Sequence, residues 1–420
     1  MESDCWTSSL ERRSHAHSQH VANHHVSLFD MHRSRRFASA DGAGCTAAAR
    51  HDVPHAAREA ACCCEHHDMT DRTPLLSVLV PTYQRASLLR IMLQALLPQA
   101  AACDEVVEIC IADNASTDDT TAVIDDARSA HPGVRLNVVC RERNIGPVRN
   151  YVCCATEQAT GEFIWALGDD DLLLAGALQR VCTTIRANPA VRFFYSNFAC
   201  SNFEEHWPAS AHGGYVGAII ALACPFVDDR DILHWQELLD PSSSLGTQAY
   251  AHIAPREVWT RFWHQREIAP DYRSLESTYP HTCMLIDTAW DEPAHYLGAP
   301  ALVQFNGRPG WADGQGARIA LVSLPQLVAR LDDKGLGLHA FLRTRAYLRE
   351  TLQAGYRDAI AGRGGRDAAE VLAASLAFSM RHSEMIDAML DAIQETGGLV
   401  VPDVIGVVRD ALTAAQLRAR

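Results

Sequence analysis

The chain has almost no lysine. Lys334 is the only one in 420 residues, and 37 basic residues stand against 51 acidic ones, for a net charge of −14. A Gly-Lys-Ser/Thr phosphate loop therefore cannot exist, and Schiff-base chemistry has only Lys334 to draw on. An acidic chain lacks the basic footprint of a sequence-independent nucleic-acid binder. It also lacks the polybasic runs that hold proteins on anionic lipid. No apolar run reaches the roughly 18 residues of a membrane span. No basic segment followed by an apolar one opens the sequence, so a cytoplasmic protein is expected. The cysteines number 14 but contain no Cys-x-x-Cys pair, and many sit in apolar periodic segments. They read as buried free thiols. No Gly-x-Gly-x-x-Gly follows a strand, which excludes a dinucleotide-binding dehydrogenase, and no Gly-x-Ser-x-Gly elbow is present for serine hydrolysis.

What is present divides into three. Residues 1–73 hold ten of the twenty histidines and little hydrophobic periodicity. They read as a disordered His/Cys-rich leader, with Met69 as an alternative natural start and Cys62-Cys63-Cys64-Glu65-His66-His67 too contiguous for a structural zinc site. From residue 74 short apolar runs alternate with helical periods. Strands are expected at 75–80, 106–112, 134–140, 162–167 and 191–199. Helices are expected at 87–99, 118–130, 147–160 and 174–187. That alternation predicts an α/β domain over 74–312 with a mainly parallel sheet flanked by helices. Residues 313–420 read as a C-terminal helical region.

Ligands of an open α/β sheet bind at the carboxyl ends of its strands. Those ends are rich in polar residues here. The first carries Pro81-Thr82-Tyr83-Gln84-Arg85, the second Asp113-Asn114-Ala115-Ser116. Arg143-Asn144-Ile145-Gly146 follows the third, with Arg149 on the next helix, and the fourth ends in Asp169-Asp170-Asp171. Three adjacent carboxylates repel one another unless a cation neutralises them. Mg²⁺ or Mn²⁺, held by one or two carboxylates and the phosphates of a substrate, suits them. Asp169 and Asp171 alternate onto one side of an extended segment and could address a metal and a ribose together. The competing reading is a solvated acidic turn. Asp113 could accept the imide N–H of uracil or thymine, which favours a uridine or thymidine nucleotide such as UDP or dTDP, or could simply close an Asx-type turn or cap a helix. Tyr83 could stack on the base or merely pack. Thr82, Arg85 and Arg149 would face the donor, the two arginines at its phosphates or in surface ion pairs. Asn144 and Gly146 would shape a tight loop against it.

The segments SVLVPTYQR, IADNASTDDT, RNIGPVRN and GEFIWALGDDD, in that order and spacing, resemble the family 2 glycosyltransferases of the GT-A fold. SLGTQAY and ESTYPHT resemble bacterial members that build O-antigen and other surface polysaccharides, the abequosyltransferase-like group. The resemblance implies a nucleotide-sugar donor, a metal at Asp171 with Asp169 and Asp170 around the donor, Asp113 on the base, and transfer with inversion to a saccharide or lipid-linked acceptor. A peripheral contact with the inner face of the membrane stays open, without a basic amphipathic face to support it. Many relatives carry the general base in a Glu-Asp pair, and no such pair stands at the corresponding place. Glu276 and His281 are the favoured substitutes, with Asp287 nearby, although His281 could instead pack or cap; Trp311 could stack on a sugar or pack in the core or a lid. The alternatives weighed are a non-catalytic nucleotide-sugar-binding protein on the same fold and a nucleotidyltransferase. The latter usually needs a Gly-rich loop after the first strand.

Overall fold

The computed structural model describes residues 72–240, 245–306 and 316–336, with single residues and short runs between 343 and 375. The expected leader, Trp311 and most of the expected C-terminal helical region fall outside the described residues. Three β-α steps and a fourth strand open the fold. β1 (Leu76–Thr82) leads to α1 (Ala86–Ala101), and β2 (Val107–Asp113) to α2 (Thr120–Ala130). β3 (Arg135–Cys140) leads to α3 (Pro147–Cys153), which widens into a π-turn over Cys154–Gln158; β4 (Phe163–Ala166) follows. Then come β5 (Asp171–Leu173), α4 (Ala177–Ala187), β6 (Phe193–Ser196), β7 (Ala199–Asn202), β8 (Ala221–Leu222) and β9 (Arg230–Ile232). The described part closes with β10 (His252–Pro255), α5 (Arg256–Trp263), α6 (Leu275–Thr278), α7 (Pro280–Thr288), β11 (Ala294–Leu297), β12 (Leu302–Asn306) and α8 (Leu324–Asp333).

The large sheet has eight strands in the order β3-β2-β1-β4-β10-β6-β11-β9, and a second sheet has the order β5-β12-β7-β8. β3, β2, β1 and β4 are parallel neighbours, and only β10 and β9 run against the rest. The expected α/β architecture is the one the chain adopts. β1 and β2 are apolar without alternation because both faces of a parallel sheet are covered. β3, on the edge, is only half-buried. The helical period read over 87–99 puts Leu88, Leu89, Met92, Leu93, Leu96 and Leu97 in the core. Leu324, Leu327, Val328 and Leu331 of α8 join that same core.

Three expected elements differ. The run read as one strand over 191–199 is two, β6 and β7, in different sheets. Asn197 sits at the break: its Nδ2 donates to the Cys224 and Gly298 carbonyls, each at 2.9 Å, and its Oδ1 accepts from Phe198 N–H at 2.9 Å. The helix expected from 174 begins at Ala177, because Asp171–Leu173 pairs with β12 and Gly176 turns the chain at φ 73°. The helix expected from 118 begins at Thr120. Asp118 instead reaches across to accept the Ala86 N–H at 3.0 Å, serving an orphan donor at the start of α1.

At the amino ends of the strands a buried carboxylate ties the sheet together. Glu108 accepts from Ser77 Oγ (2.7 Å), Thr160 N–H (2.9 Å) and Asn137 Nδ2 (3.1 Å), and Ser77 Oγ in turn accepts from Gly161 N–H at 2.8 Å. Burial pushes this carboxyl up, but the donors from Ser77, Thr160 and Asn137 outweigh it and hold it below the usual range. A depressed carboxyl stabilises the fold above its unfolded pKa and loses that contribution as pH falls through the folded value. Glu108→Ala leaves buried donors unpaired and is expected to cost about 3 kcal/mol in urea unfolding at pH 7. The difference from the unaltered protein should shrink below roughly pH 4, where the unfolded carboxyl is protonated. An equal difference at pH 7 and at low pH would show that lost packing, not the charge, carries the effect.

Candidate active site

The carboxyl ends of β1, β2 and β4 meet at one rim. Thr82 lies beside Asp113 in the β1–β2 register, and the Asn114 N–H donates to the Thr82 carbonyl at 3.0 Å. Thr82 Oγ1 donates to Asp169 Oδ2 at 2.7 Å. Arg85 Nη1 donates to Asp169 Oδ1 at 2.7 Å and to Asp170 Oδ2 at 2.9 Å. So the residues from the end of the first strand are hydrogen-bonded to the acidic triplet 84 to 87 positions later in the chain. Asp171 opens β5, and its Oδ2 accepts the Gly168 N–H at 2.8 Å.

The triplet is electrostatically strained. Asp169 and Asp171 are 3% and 5% exposed. Burial, then the charge of Asp170, pushes the Asp169 carboxyl up to about 6, against the pull of Arg85 and Thr82. Burial and Asp170 likewise drive Asp171 well above the carboxylate range, with only Gly168 N–H and Arg85 in opposition. Ionised together, these groups cost free energy that a second cation would offset. Arg85 already shows a cation bound to two of them. Among the described residues no group of three or more His, Cys, Asp or Glu is arranged as a metal cage. Two carboxylates completed by phosphate oxygens are what Mg²⁺ or Mn²⁺ ordinarily takes, so the donor set fits such an ion.

The second-strand end is a locked turn. Asp113 accepts from Ser116 N–H at 3.1 Å through Oδ1, which also takes the Ser116 hydroxyl, while Oδ2 is engaged only at 3.4 Å. Asp113 therefore closes the turn locally, through a bond three residues on rather than the two of an Asx turn, and Oδ2 keeps most of its accepting capacity. Gln84 and Ala115 both hold left-handed backbone, at φ 55° and 66°. Gln84 N–H bonds Ser116 Oγ at 2.9 Å and Gln84 Nε2 bonds Thr117 Oγ1 at 2.7 Å, which pins the two strained loops together. Tyr83 between them is 43% exposed, free to meet a planar ring at the rim.

The third-strand loop is held by Asn114, to which the sequence reading gave no role. Asn114 Nδ2 donates to Asn144 Oδ1 at 2.9 Å and its Oδ1 accepts Ile145 N–H at 2.9 Å; Gly146 N–H closes on Asn144 Oδ1 at 2.8 Å. Gly146 must be glycine on two counts. Its φ is 90°, and a Cβ there would lie 2.1 Å from the Pro270 carbonyl oxygen. That close approach lays the segment around Pro270 over the loop. Tyr272, in the same segment, senses the charge of Arg85, though burial still raises its phenol. Arg149 is set apart. It lines a cavity of about 520 Å³ with Cys153, Trp263 and Pro270, and no residue of the acidic triplet shares that lining.

Of the base candidates, Glu276 on α6 has a side chain 46% exposed and lies 3.3 Å from Arg330 of α8, which also holds Asp287 at 2.7 Å. His281 is placed differently. It is 4% exposed, its Nε2 bonds the Thr247 carbonyl at 3.0 Å, and its Nδ1 is enclosed without a partner. Burial, then His252, pushes its imidazole down to about 3. His252 does the same for the neighbouring carbonyl, Gly246 O, at 3.0 Å. Two neutral histidines thus fix the Gly246–Thr247 backbone, beside Leu245 at a strained φ of 54°. The Tyr250 hydroxyl senses the charge of Asp171, which brings this loop beneath the triplet. Asn114, His252 and Tyr250 escaped the sequence reading. Asn114 had a signal in its place inside a strand-end motif, and Tyr250 in its place at the end of SLGTQAY; His252 had none.

Fold and site together define an open α/β sheet whose carboxyl rim gathers acidic, amide and guanidinium groups. Residues 77–237 match the family described as glycosyl transferase family 2, and that segment is a domain of this family. Abequosyltransferase RfbV of Salmonella typhimurium is 35% identical over 106 residues, covering 25% of this chain and 30% of the relative. A GalNAc(5)-diNAcBac-PP-undecaprenol beta-1,3-glucosyltransferase of Campylobacter jejuni is 32% identical over 126 residues, covering 30% of this chain and 38% of the relative. The chain thus spans well under half the length of these relatives. Among solved structures, S. aureus TarS 1-349 in complex with UDP superposes with a TM-score of 0.46 at 14% identity, covering 77% of this chain and 91% of that one. No helix among the described residues is long and apolar enough to cross a membrane.

Proposed function

We propose that the chain is a metal-dependent inverting glycosyltransferase, moving a sugar from a nucleotide-diphosphate donor to a saccharide or lipid-linked acceptor in bacterial surface-polysaccharide assembly. The observation that carries this reading is the pair of bonds from Thr82 and Arg85 to Asp169, which joins the end of the first strand to the acidic triplet at one rim. The matched domain and the two named transferases supply the reaction class. The Campylobacter relative's name includes a PP-undecaprenol acceptor, which supports a lipid-linked acceptor met at the inner face of the membrane by a cytoplasmic enzyme.

In this reading Asp169 and Asp171 hold Mg²⁺ or Mn²⁺, which supplies charge neutralisation for the departing diphosphate. The chain's own groups do the rest. Asp113 Oδ2 accepts the imide N–H of a uracil or thymine base, and Tyr83 covers its face. The loop of Asn144 and Gly146, braced by Asn114, sets the depth of the nucleotide. Arg85 balances the triplet and offers its remaining N–H groups to the diphosphate; Arg149 guards the outer side of the same loop. Glu276, with an exposed carboxylate, takes the proton of the attacking hydroxyl. His281 acts at one remove, holding the Thr247 carbonyl.

Purified protein offered a panel of nucleotide sugars should release nucleoside diphosphate from one uridine or thymidine donor, in the presence of Mn²⁺ and not of EDTA. Binding of a donor with no transfer to any acceptor would favour the non-catalytic alternative. Release of pyrophosphate from a nucleoside triphosphate and a sugar phosphate would favour the nucleotidyltransferase.

A further inference from the structure

Two cysteines that the proposed chemistry does not use lie together on the far side of the sheet. Cys103 follows the end of α1, and Cys182 stands in the middle of α4. The residues directly after Cys103 are bonded to the helix face that carries Cys182. Asp104 N–H donates to Gln179 Oε1 at 3.0 Å, and Gln179 Nε2 returns a bond to Asp104 Oδ2 at 3.0 Å. Arg186 forks Glu105 through two bonds of 2.9 Å. Gln179, Cys182 and Arg186, three and four positions apart, share one face of α4. The two thiols lie between these clamps, close enough for each to shift the other's acidity. Cys182 is buried, whereas Cys103 is half-exposed, so reagents reach the pair through Cys103.

We propose that Cys103 and Cys182 form a reversible disulfide that fastens the end of α1 to α4, with a low-molecular-weight disulfide such as oxidised glutathione as the electron acceptor. The Cys103 thiolate attacks one glutathione sulfur, breaking the reagent's S–S bond and releasing one glutathione thiolate. The Cys182 thiol then loses its proton and attacks Cys103 Sγ, expelling the second glutathione as a thiolate. Two protein thiols are oxidised and one disulfide is reduced to two thiols. The Cys103 thiol is suited to the first step. The Cys182 thiol beside it, aided by the Glu105 N–H, pulls it down to about 7, against burial and the negative charges of Asp104 and Glu105. Arg186, paired with Glu105, is the cation facing the cluster. The bond would close a loop holding β2, β3, β4 and β5, restricting the unfolded chain and stabilising the fold. It lies at the opposite end of α1 from Arg85, so the rim is untouched, and the inference stands whether or not the proposed function holds.

The full chain is incubated with oxidised glutathione, remaining thiols are alkylated, and linked peptides are mapped by mass spectrometry. A Cys103–Cys182 peptide pair is expected, reversed by dithiothreitol, with the melting temperature raised by about 5 °C or more. Cys103→Ser should abolish both the link and the rise. Because Cys182→Ala opens a small gap in the core, that variant is read by alkylation instead. The rate of Cys103 modification should have its midpoint near pH 7 in the unaltered protein and well above it in Cys182→Ala. Glutathione left on Cys103 with Cys182 free, a link from Cys103 to another cysteine, or the same alkylation profile in both proteins would overturn the proposal.

Discussion

Asp171→Asn is expected to lower metal-dependent turnover about a hundred- to a thousandfold while the protein melts at the same temperature or higher. The first half follows from the reaction. A carboxylate that holds the cation on a leaving diphosphate acts mainly in the transition state, and the loss of one such electrostatic partner typically costs on the order of 10²–10³ in rate. The second half follows from the geometry. Asparagine is nearly isosteric, and its Oδ1 can still accept the Gly168 N–H that now reaches Asp171 Oδ2 at 2.8 Å. It also removes a buried negative charge that Asp170 and Asp169 both oppose. Catalysis and stability therefore move in opposite directions, as they do where function keeps an unfavourable cluster. Steady-state kinetics with Mn²⁺ and a thermal melt in EDTA measure the two halves. Full turnover in Asp171→Asn would remove the metal from this position; a melting temperature several degrees lower would show that the carboxylate serves the fold.

The second large effect belongs to Arg85. Its guanidinium is 17% exposed and bonded to two carboxylates, one of them buried. Arg85→Met keeps much of the packed stem but leaves Asp169 without its cation. Breaking one side of a buried pair costs roughly 3 kcal/mol, or about 5–10 °C in melting temperature for a domain of this size. A divalent cation should restore much of that loss, since it meets the same charge. Melting curves in EDTA and in millimolar Mn²⁺ test this. Equal destabilisation under both conditions would mean that the triplet has no access to the ion.

Much of the fold could be read from local pattern. Residues 75–80 are apolar without alternation because β1 is covered on both faces, and the leucine spacing over 87–99 follows α1's buried side. The rim could be read because an α/β sheet sends its ligand groups to one end of its strands, so motifs thirty residues apart in sequence were expected to meet. Thr82, Arg85 and Asp169 do meet. What stayed hidden depends on partners remote in the chain. Nothing around residue 197 announces that Asn197 will bond Cys224 and Gly298 and split one apolar run between two sheets. Nothing around residue 281 announces that the ring will be buried against His252 and committed to Thr247, since a histidine beside a proline reads equally as base, cap or core.

The sequence by itself determined the order of strands and helices up to about residue 190, the acidic excess, and which short segments carry the polar groups of the rim, because these depend on periodicity and neighbouring residues. Only the tertiary structure decided that Arg85 neutralises Asp169 and Asp170, that Asn114 braces the loop of Gly146 under Pro270, and that Cys103 faces Cys182. Those are contacts across gaps in the chain, and burial sets the charge state and reactivity of each group involved.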